Sequence, residues 1–247
     1  MRISFRRFEV AMHLTVDKLV KNYGTKQVLK GASFTFESGK IYGLLGRNGA
    51  GKTTLFQCLA EQTKYQQGQC VLEKQDSTNH LTSEQVALVC SESFVPDFLT
   101  GYELIRFFLT LYRPHMKSSQ IDTELAELFE LVQLSAEDRH RLLKDYSHGM
   151  KSKVLMLLNL LQQKEVLLLD EPLSSVDVVA GEELKQLIKH SKDNRITILS
   201  THLLDLALEL CDEIVLLRGG VLEPLKRQQL DDSEYRKQII ATLKEES

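Results

Sequence analysis

The chain has 247 residues, 43% apolar and 26% charged, with a formal net charge of -3. These values suit one large α/β domain, or a domain carrying a helical insertion. They exclude the basic surplus of a nucleic-acid footprint and the acidic excess of a solvating tail, and with 4 Pro and 13 Gly the chain is not of low complexity.

Met1 to Val10 alternates basic and aromatic residues (Arg2, Phe5, Arg6, Arg7, Phe8) and lacks the apolar stretch of a signal peptide. Residues 1 to 11 are either a start-codon artefact ahead of Met12 or a short first strand. His13 to Leu19 and Ala32 to Phe36 are predicted as antiparallel edge strands, and Lys40 to Leu45 as an apolar strand. A glycine-rich turn follows, then a helix from Thr53 to Glu61 and a strand from Val86 to Cys90. Gly101 to Tyr112, Ser119 to Leu134 and Ala136 to Lys144 read as three helices with no strand between them. Ile121, Leu125, Leu128, Phe129 and Val132 recur at the spacing of one helix face. Strand–helix alternation then resumes: helix Val154 to Leu161, strand Val166 to Leu169, strand Ile196 to Leu199, helix Leu203 to Leu210 and strand Glu213 to Leu217. Gly219-Gly220 signals a hairpin returning through Val221-Leu222, and the charged tail from Gln228 reads as a small helix. The expected fold is α/β, with a mostly parallel sheet, antiparallel N-terminal edge strands and an inserted α-helical subdomain. The core spans 12–225, the insert about 92–160, and the tail 226–247. No run reaches the ~18 consecutive apolar residues of a membrane span. Cys58, Cys70, Cys90 and Cys211 have no C-x-x-C or metal spacing and read as reduced core thiols.

The residues Gly46-Arg47-Asn48-Gly49-Ala50-Gly51-Lys52-Thr53-Thr54 fit G-x-x-x-x-G-K-S/T between a strand and a helix. Each position serves phosphate chemistry. The glycines let the backbone bring its N–H groups to phosphate oxygens, and the helix N-terminus adds a positive end. Lys52 reaches the β- and γ-phosphates, and the Thr53 hydroxyl can hold Mg²⁺. Further on, the strand Val166-Leu167-Leu168-Leu169 ends in Asp170-Glu171-Pro172. Ligands in parallel α/β sheets gather beyond strand carboxyl ends. If this strand neighbours the phosphate-loop strand, Asp170 holds Mg²⁺ and Glu171 orients and deprotonates the attacking water. Alone, the pair would be a solvated loop; the upstream phosphate loop makes it functional.

With these motifs in family order, the chain resembles the ATP-binding-cassette ATPases from residue 13 to about 223. Tyr23, in Lys21-Asn22-Tyr23-Gly24, resembles the aromatic that stacks on adenine. Tyr146-Ser147-His148-Gly149-Met150 resembles the signature loop, Ser174-Ser175-Val176-Asp177 the D-loop, and Ser200-Thr201-His202 the switch histidine. The resemblance implies ATP and Mg²⁺ as cofactors and Glu171, His202 and Lys52 as the catalytic set. It assigns Thr53, Asp170 and Ser91, the last at the Q-loop glutamine's place beside Glu92, to the metal. ATP would be sandwiched head to tail in a homodimer or heterodimer, with Ser147 and Gly149 contributed by the second chain and Asp177 of the D-loop also at the nucleotide. The Tyr-Ser-His-Gly-Met variant resembles bacterial exporters of drugs and antimicrobial peptides with separate permease chains. A subunit of that kind powers transport from the cytoplasm, held at the inner face of the membrane by its permease. The loop Ser91 to Thr100 and the insert Gly101 to Lys144 would make that contact. The alternatives are a catalytically weak subunit paired with an active cassette, and a non-transport ATPase of the same superfamily. A guanine nucleotide is not indicated, because the chain lacks N-K-x-D.

Overall fold

A computed structural model of the chain describes residues 11–75, 77–90, 95–174, 176–192, 195–230 and 232–244. Strand β1 (Met12–Tyr23) alternates buried and part-exposed positions, and β2 (Lys26–Glu37) returns beside it. Strand β3 (Ile41–Leu45) is buried at every residue and leads into α1 (Lys52–Leu59). After β4 (Gln67–Lys74), β5 (Ser77–His80) and β6 (Val86–Cys90) come the helices α2 (Gly101–Tyr112), α3 (Ser118–Leu131) and α4 (His148–Leu161). Then follow β7 (Val166–Asp170), α5 (Val178–His190), β8 (Ile196–Thr201), α6 (Leu204–Leu210), β9 (Glu213–Arg218) and β10 (Val221–Leu225). The chain is described to α7 (Arg227–Leu230) and α8 (Ser233–Lys244).

The chain divides into two units. The first comprises described residues of 11–88, 165–171 and 192–244. It holds a four-stranded sheet of order β2-β1-β4-β5 and a sheet of order β10-β9-β3-β8-β7-β6, to which it contributes residues 86–88 of β6. Pairing is antiparallel throughout the first sheet. In the second, β9, β3, β8 and β7 run parallel and β10 returns antiparallel. The expected antiparallel strands are therefore present, but β1 is a central strand of its own sheet rather than an edge of the parallel one. Between the sheets lies a core of Leu14, Leu19 and Phe36 from one, Tyr42, Leu44, Leu168 and Ile198 from the other, and Leu55 and Phe56 from α1. Each such side chain contributes roughly 1.5–3 kcal/mol on burial. Phe36 and Tyr42 meet edge to face at 5.0 Å between centroids, and the buried Tyr42 hydroxyl accepts from Glu37 N–H at 2.9 Å.

The second unit comprises residues 89–164 and 172–191. Its helix α2 starts at a reciprocal cap: Thr100 Oγ1 accepts from Glu103 N–H at 3.1 Å, and the Glu103 carboxylate accepts from Thr100 N–H at 2.8 Å. Arg106 of α2 pairs with Asp122 of α3 at 2.6 Å, and Lys153 of α4 pairs with Glu183 of α5. The helix expected over Ala136 to Lys144 is instead two short 3₁₀ turns, at Asp138–His140 and Leu143–Asp145. The reason is competition for the backbone. Ser135 Oγ accepts from Asp138 N–H at 3.0 Å, Leu143 N–H donates to Leu99 O at 2.8 Å, and Leu142 bridges to Thr100.

Candidate active site

Strand β3 lies between β8 and β9, with Leu45 level with Thr201 and Leu216. Its chain therefore turns at the carboxyl edge of the sheet. Gly46 N–H donates to Thr201 O at 3.2 Å and Ala50 N–H to Arg47 O at 3.1 Å, which folds residues 46–51 back on themselves. Gly51 is the position that only glycine satisfies. Its φ is +106°, and a Cβ there would stand 2.8 Å from Val28 Cγ1. Helix α1 opens from this residue with no side-chain cap, so its first N–H groups are available to an anion. The Lys52 ammonium is 5% exposed. It donates to Gly46 O at 2.7 Å and Arg47 O at 3.1 Å, and stands 3.2 Å from Glu171 Oε1.

The two acids sit at the end of β7, which is not the neighbour of β3: β8 runs between them. The phosphate loop nevertheless reaches across, Thr53 Oγ1 donating to Asp170 Oδ2 at 2.7 Å. The intervening strand contributes a third group. His202 Nδ1, just past the end of β8, lies 3.2 Å from both carboxylate oxygens of Glu171, and Leu203 N–H donates to Thr201 Oγ1 at 3.1 Å in the turn that carries it. Glu171 itself has φ +49°, a left-handed conformation that is strained for a residue with a side chain. Its N–H is held by Ser200 Oγ at 2.9 Å, and the same hydroxyl donates to Asp170 Oδ1 at 2.6 Å. Sequence reasoning gave Ser200 no role of its own. The available signal was a hydroxyl in the apolar strand Ile196-Thr197-Ile198-Leu199-Ser200, since a buried polar group requires partners.

A cavity of about 290 Å³ is lined by Tyr23, Lys26, Asn48, Gly49, Gly51, Lys52, Thr53, Thr54 and Glu171. Tyr23 is 47% exposed, with the Lys21 ammonium 4.4 Å from its ring centroid. A second cavity of about 340 Å³ borders Arg47, Asn48, Gly49 and Ala50 on their flank toward β9 and β10. The loop's contents fit a triphosphate: backbone N–H groups, an uncapped helix start and a buried ammonium. Thr53 and Asp170 fit Mg²⁺. They offer two hard oxygens, and no cluster of three His, Cys, Asp or Glu occurs among the described residues, as suits an ion that keeps waters and takes phosphate ligands from its substrate.

In the second unit, Ser147 and His148 are exposed, and Ser147 Oγ accepts from Met150 N–H at 3.2 Å as the cap of α4. Gly149 is buried. A Cβ there would stand 2.6 Å from Ala180 Cβ and 3.3 Å from Asp177 Oδ2. Sequence reasoning gave this glycine one purpose, backbone approach to an anion; close packing of α4 on α5 is a second. Asp177 caps α5, its Oδ1 accepting from Val179 N–H at 3.1 Å and Ala180 N–H at 3.0 Å. Ser91 and Glu92, expected at the metal and permease loop, lie outside the described residues, as does Phe94.

The sequence profile of the ABC transporter family matches residues 29–174. The uncharacterised ABC transporter ATP-binding protein YdbJ of Bacillus subtilis is 31% identical over 232 residues, which cover 92% of this chain and 73% of the relative. The SkfA peptide export ATP-binding protein SkfE of the same organism is 29% identical over 236 residues, covering 94% of this chain and 97% of the relative. The sulfate/thiosulfate import ATP-binding protein CysA of Methylococcus capsulatus is 32% identical over 219 residues, and the chain spans 62% of that relative's length. A solved structure of an ATP binding subunit of an ABC transporter is similar in fold, with a TM-score of 0.77 at 22% identity over 94% of this chain and 99% of that one.

Proposed function

The chain belongs to the ABC transporter family, and from that premise we propose that it is the ATP-hydrolysing subunit that powers transport through a separate membrane permease. The observation that carries the reading is the meeting of Thr53 with Asp170, and of Lys52 and His202 with Glu171, at the ends of three adjacent parallel strands. The residues at positions 46, 48–51 and 54 cradle the phosphates with Lys52, and Tyr23 stacks on adenine. Thr53 and Asp170 would hold Mg²⁺, which supplies charge neutralisation at the phosphate oxygens. Glu171 accepts the proton of the attacking water, and His202 holds the Glu171 carboxylate in position. A second cassette, identical or related, contributes Ser147, Gly149 and Asp177 to close the site.

Export is the direction we favour. The Tyr146-Ser147-His148-Gly149-Met150 variant supports it, as does the peptide-export relative, which is matched along nearly its whole length. Import is the second reading, favoured by the sulfate relatives. No helix among the described residues is long and apolar enough to cross a membrane. Contact with the bilayer is therefore proposed to run through the permease, from the cytoplasmic side. In the second unit Phe98, Phe107 and Leu111 are 78%, 61% and 58% exposed, and exposed apolar groups of this kind suit an interface.

Glu171→Gln tests the reading. The amide cannot take the proton, so ATP should still bind while turnover falls at least about 10²-fold, within the range for loss of a general base. An ATP-dependent dimer should accumulate in size-exclusion chromatography. Hydrolysis at the parent rate would remove Glu171 as the base.

A further inference from the structure

Helix α8 belongs to the first unit, and none of the roles above uses it. Its last turn lies where the proposed chemistry converges. Leu243 lines a cavity of about 430 Å³ with His202, Leu203 and Leu206. It also lines the cavity of about 340 Å³ beside Arg47, Asn48 and Gly49. One side chain thus adjoins both the switch-histidine loop and the flank of the phosphate loop.

The docking is incomplete. An unfilled cavity between α8 and the loop forfeits contact on both walls. The tie between Arg236 and Asp205 joins groups 42% and 83% exposed, and pairs so exposed are weak. Ile239, 5% exposed, is the principal apolar anchor. Leu203 next to His202 stays 52% exposed, as a surface awaiting a partner would be. A segment held by one buried side chain, the half-buried Ile240 and Leu243 and a solvated ion pair opens at low cost.

We propose that α8 is an autoinhibitory latch: docked, it occupies ground beside His202 and Asn48 that a second copy of the chain must cover, and its release permits ATP-dependent dimerisation. This rests on the two-chain reading above. The two bound states exclude each other and each copy must release its own α8, so a contact that holds α8 down weakens dimerisation by up to the square of its own factor.

The test uses the full chain carrying Glu171→Gln, with ATP, in sedimentation velocity over a protein concentration series. Adding Ile239→Asp should move half-dimerisation to at least about tenfold lower protein concentration by removing the competing contact. Arg236→Glu alone should move it roughly two- to fivefold, the scale of an exposed ion pair. The swap Asp205→Arg with Arg236→Glu should restore the parent value, a result that needs no loss of packing and holds even if Ile239→Asp fails to fold. ATP affinity is measured separately on dilute monomer with a fluorescent analogue. Normal ATP binding with unchanged or weaker dimerisation in Arg236→Glu, or no restoration by the swap, overturns the latch alone. Failure of the Glu171→Gln chain to bind ATP overturns the nucleotide reading and the latch with it.

Discussion

Deleting the Ser200 hydroxyl probes how the active-site acids are held. Ser200 is 0% exposed, and Asp170 is 7% exposed. In Ser200→Ala, Asp170 Oδ1 loses a donor at 2.6 Å and Glu171 N–H loses an acceptor at 2.9 Å. A hydrogen bond to a charged group contributes about 1.5–3 kcal/mol, and an orphaned amide costs about 1–3 kcal/mol. Because both losses are relieved by the same local shift, they should not add fully, and we expect a total of about 2–4 kcal/mol. Urea unfolding should show this as a lower midpoint with an unchanged slope. The kinetic effect follows from the φ of +49° at Glu171. Without Ser200 the strained backbone relaxes and the carboxylate leaves the reach of Lys52 and His202. Turnover should fall about 10- to 100-fold with the KM for ATP changed by less than about twofold, since positioning is lost rather than binding. A variant within about 0.5 kcal/mol of the parent that turns over at the parent rate would refute the argument that Ser200 positions both acids.

Gly149→Ala places a methyl 2.6 Å from Ala180 Cβ and should cost about 1–3 kcal/mol by overpacking, visible in thermal unfolding, with ATP binding to the monomer intact. His148→Glu separates packing from interface chemistry. This exposed position opens α4, where an added carboxylate favours the helix by up to about 1 kcal/mol. Stability should hold while the ATP-dependent dimer is lost; a dimer of parent affinity would place the signature residues away from the γ-phosphate. Arg195→Met should stabilise the chain. The guanidinium is 2% exposed, its Nε and Nη1 find no partner among the described residues, and burial pushes its pKa down to about 10. The unfolded chain holds that proton more tightly than the native one, so the penalty, roughly 3 kcal/mol, is at full strength at pH 7 and eases only as pH rises past about 10. Destabilisation of Arg195→Met in urea at pH 7 would show that the guanidinium has a stabilising partner.

Much of the fold was written locally. The buried runs of β3 and of β7 up to Asp170 appear as apolar stretches, and that of β8 as one interrupted by Thr197 and Ser200, because strands covered on both faces take mostly apolar residues. The phosphate loop is legible because its glycines and lysine are contiguous, and Asp170 and Glu171 because they end a core strand. Other features are only weakly marked locally. β4 and β5 (Ser77-Thr78-Asn79-His80) are stabilised by pairing with β1 and with each other, and their own residues show little alternation. Helix α5 is heralded only by its cap, Asp177, and by Ala180, Leu184, Leu187 and Ile188 spaced along one face. The stretch from Ala136 to Lys144 has helical composition, yet its backbone is claimed by Leu99, Thr100 and Ser135. Sequence thus determined which groups could do phosphate chemistry. Only tertiary structure decided that β8 lies between β3 and β7, that Ser200 fixes both acids and that Gly149 is needed for packing. The physical reason is that strand order and helix contact depend on pairings between residues up to 171 positions apart, as Tyr42 is from Glu213, whose energies are set by burial and hydrogen bonding in the assembled sheet rather than by any local propensity.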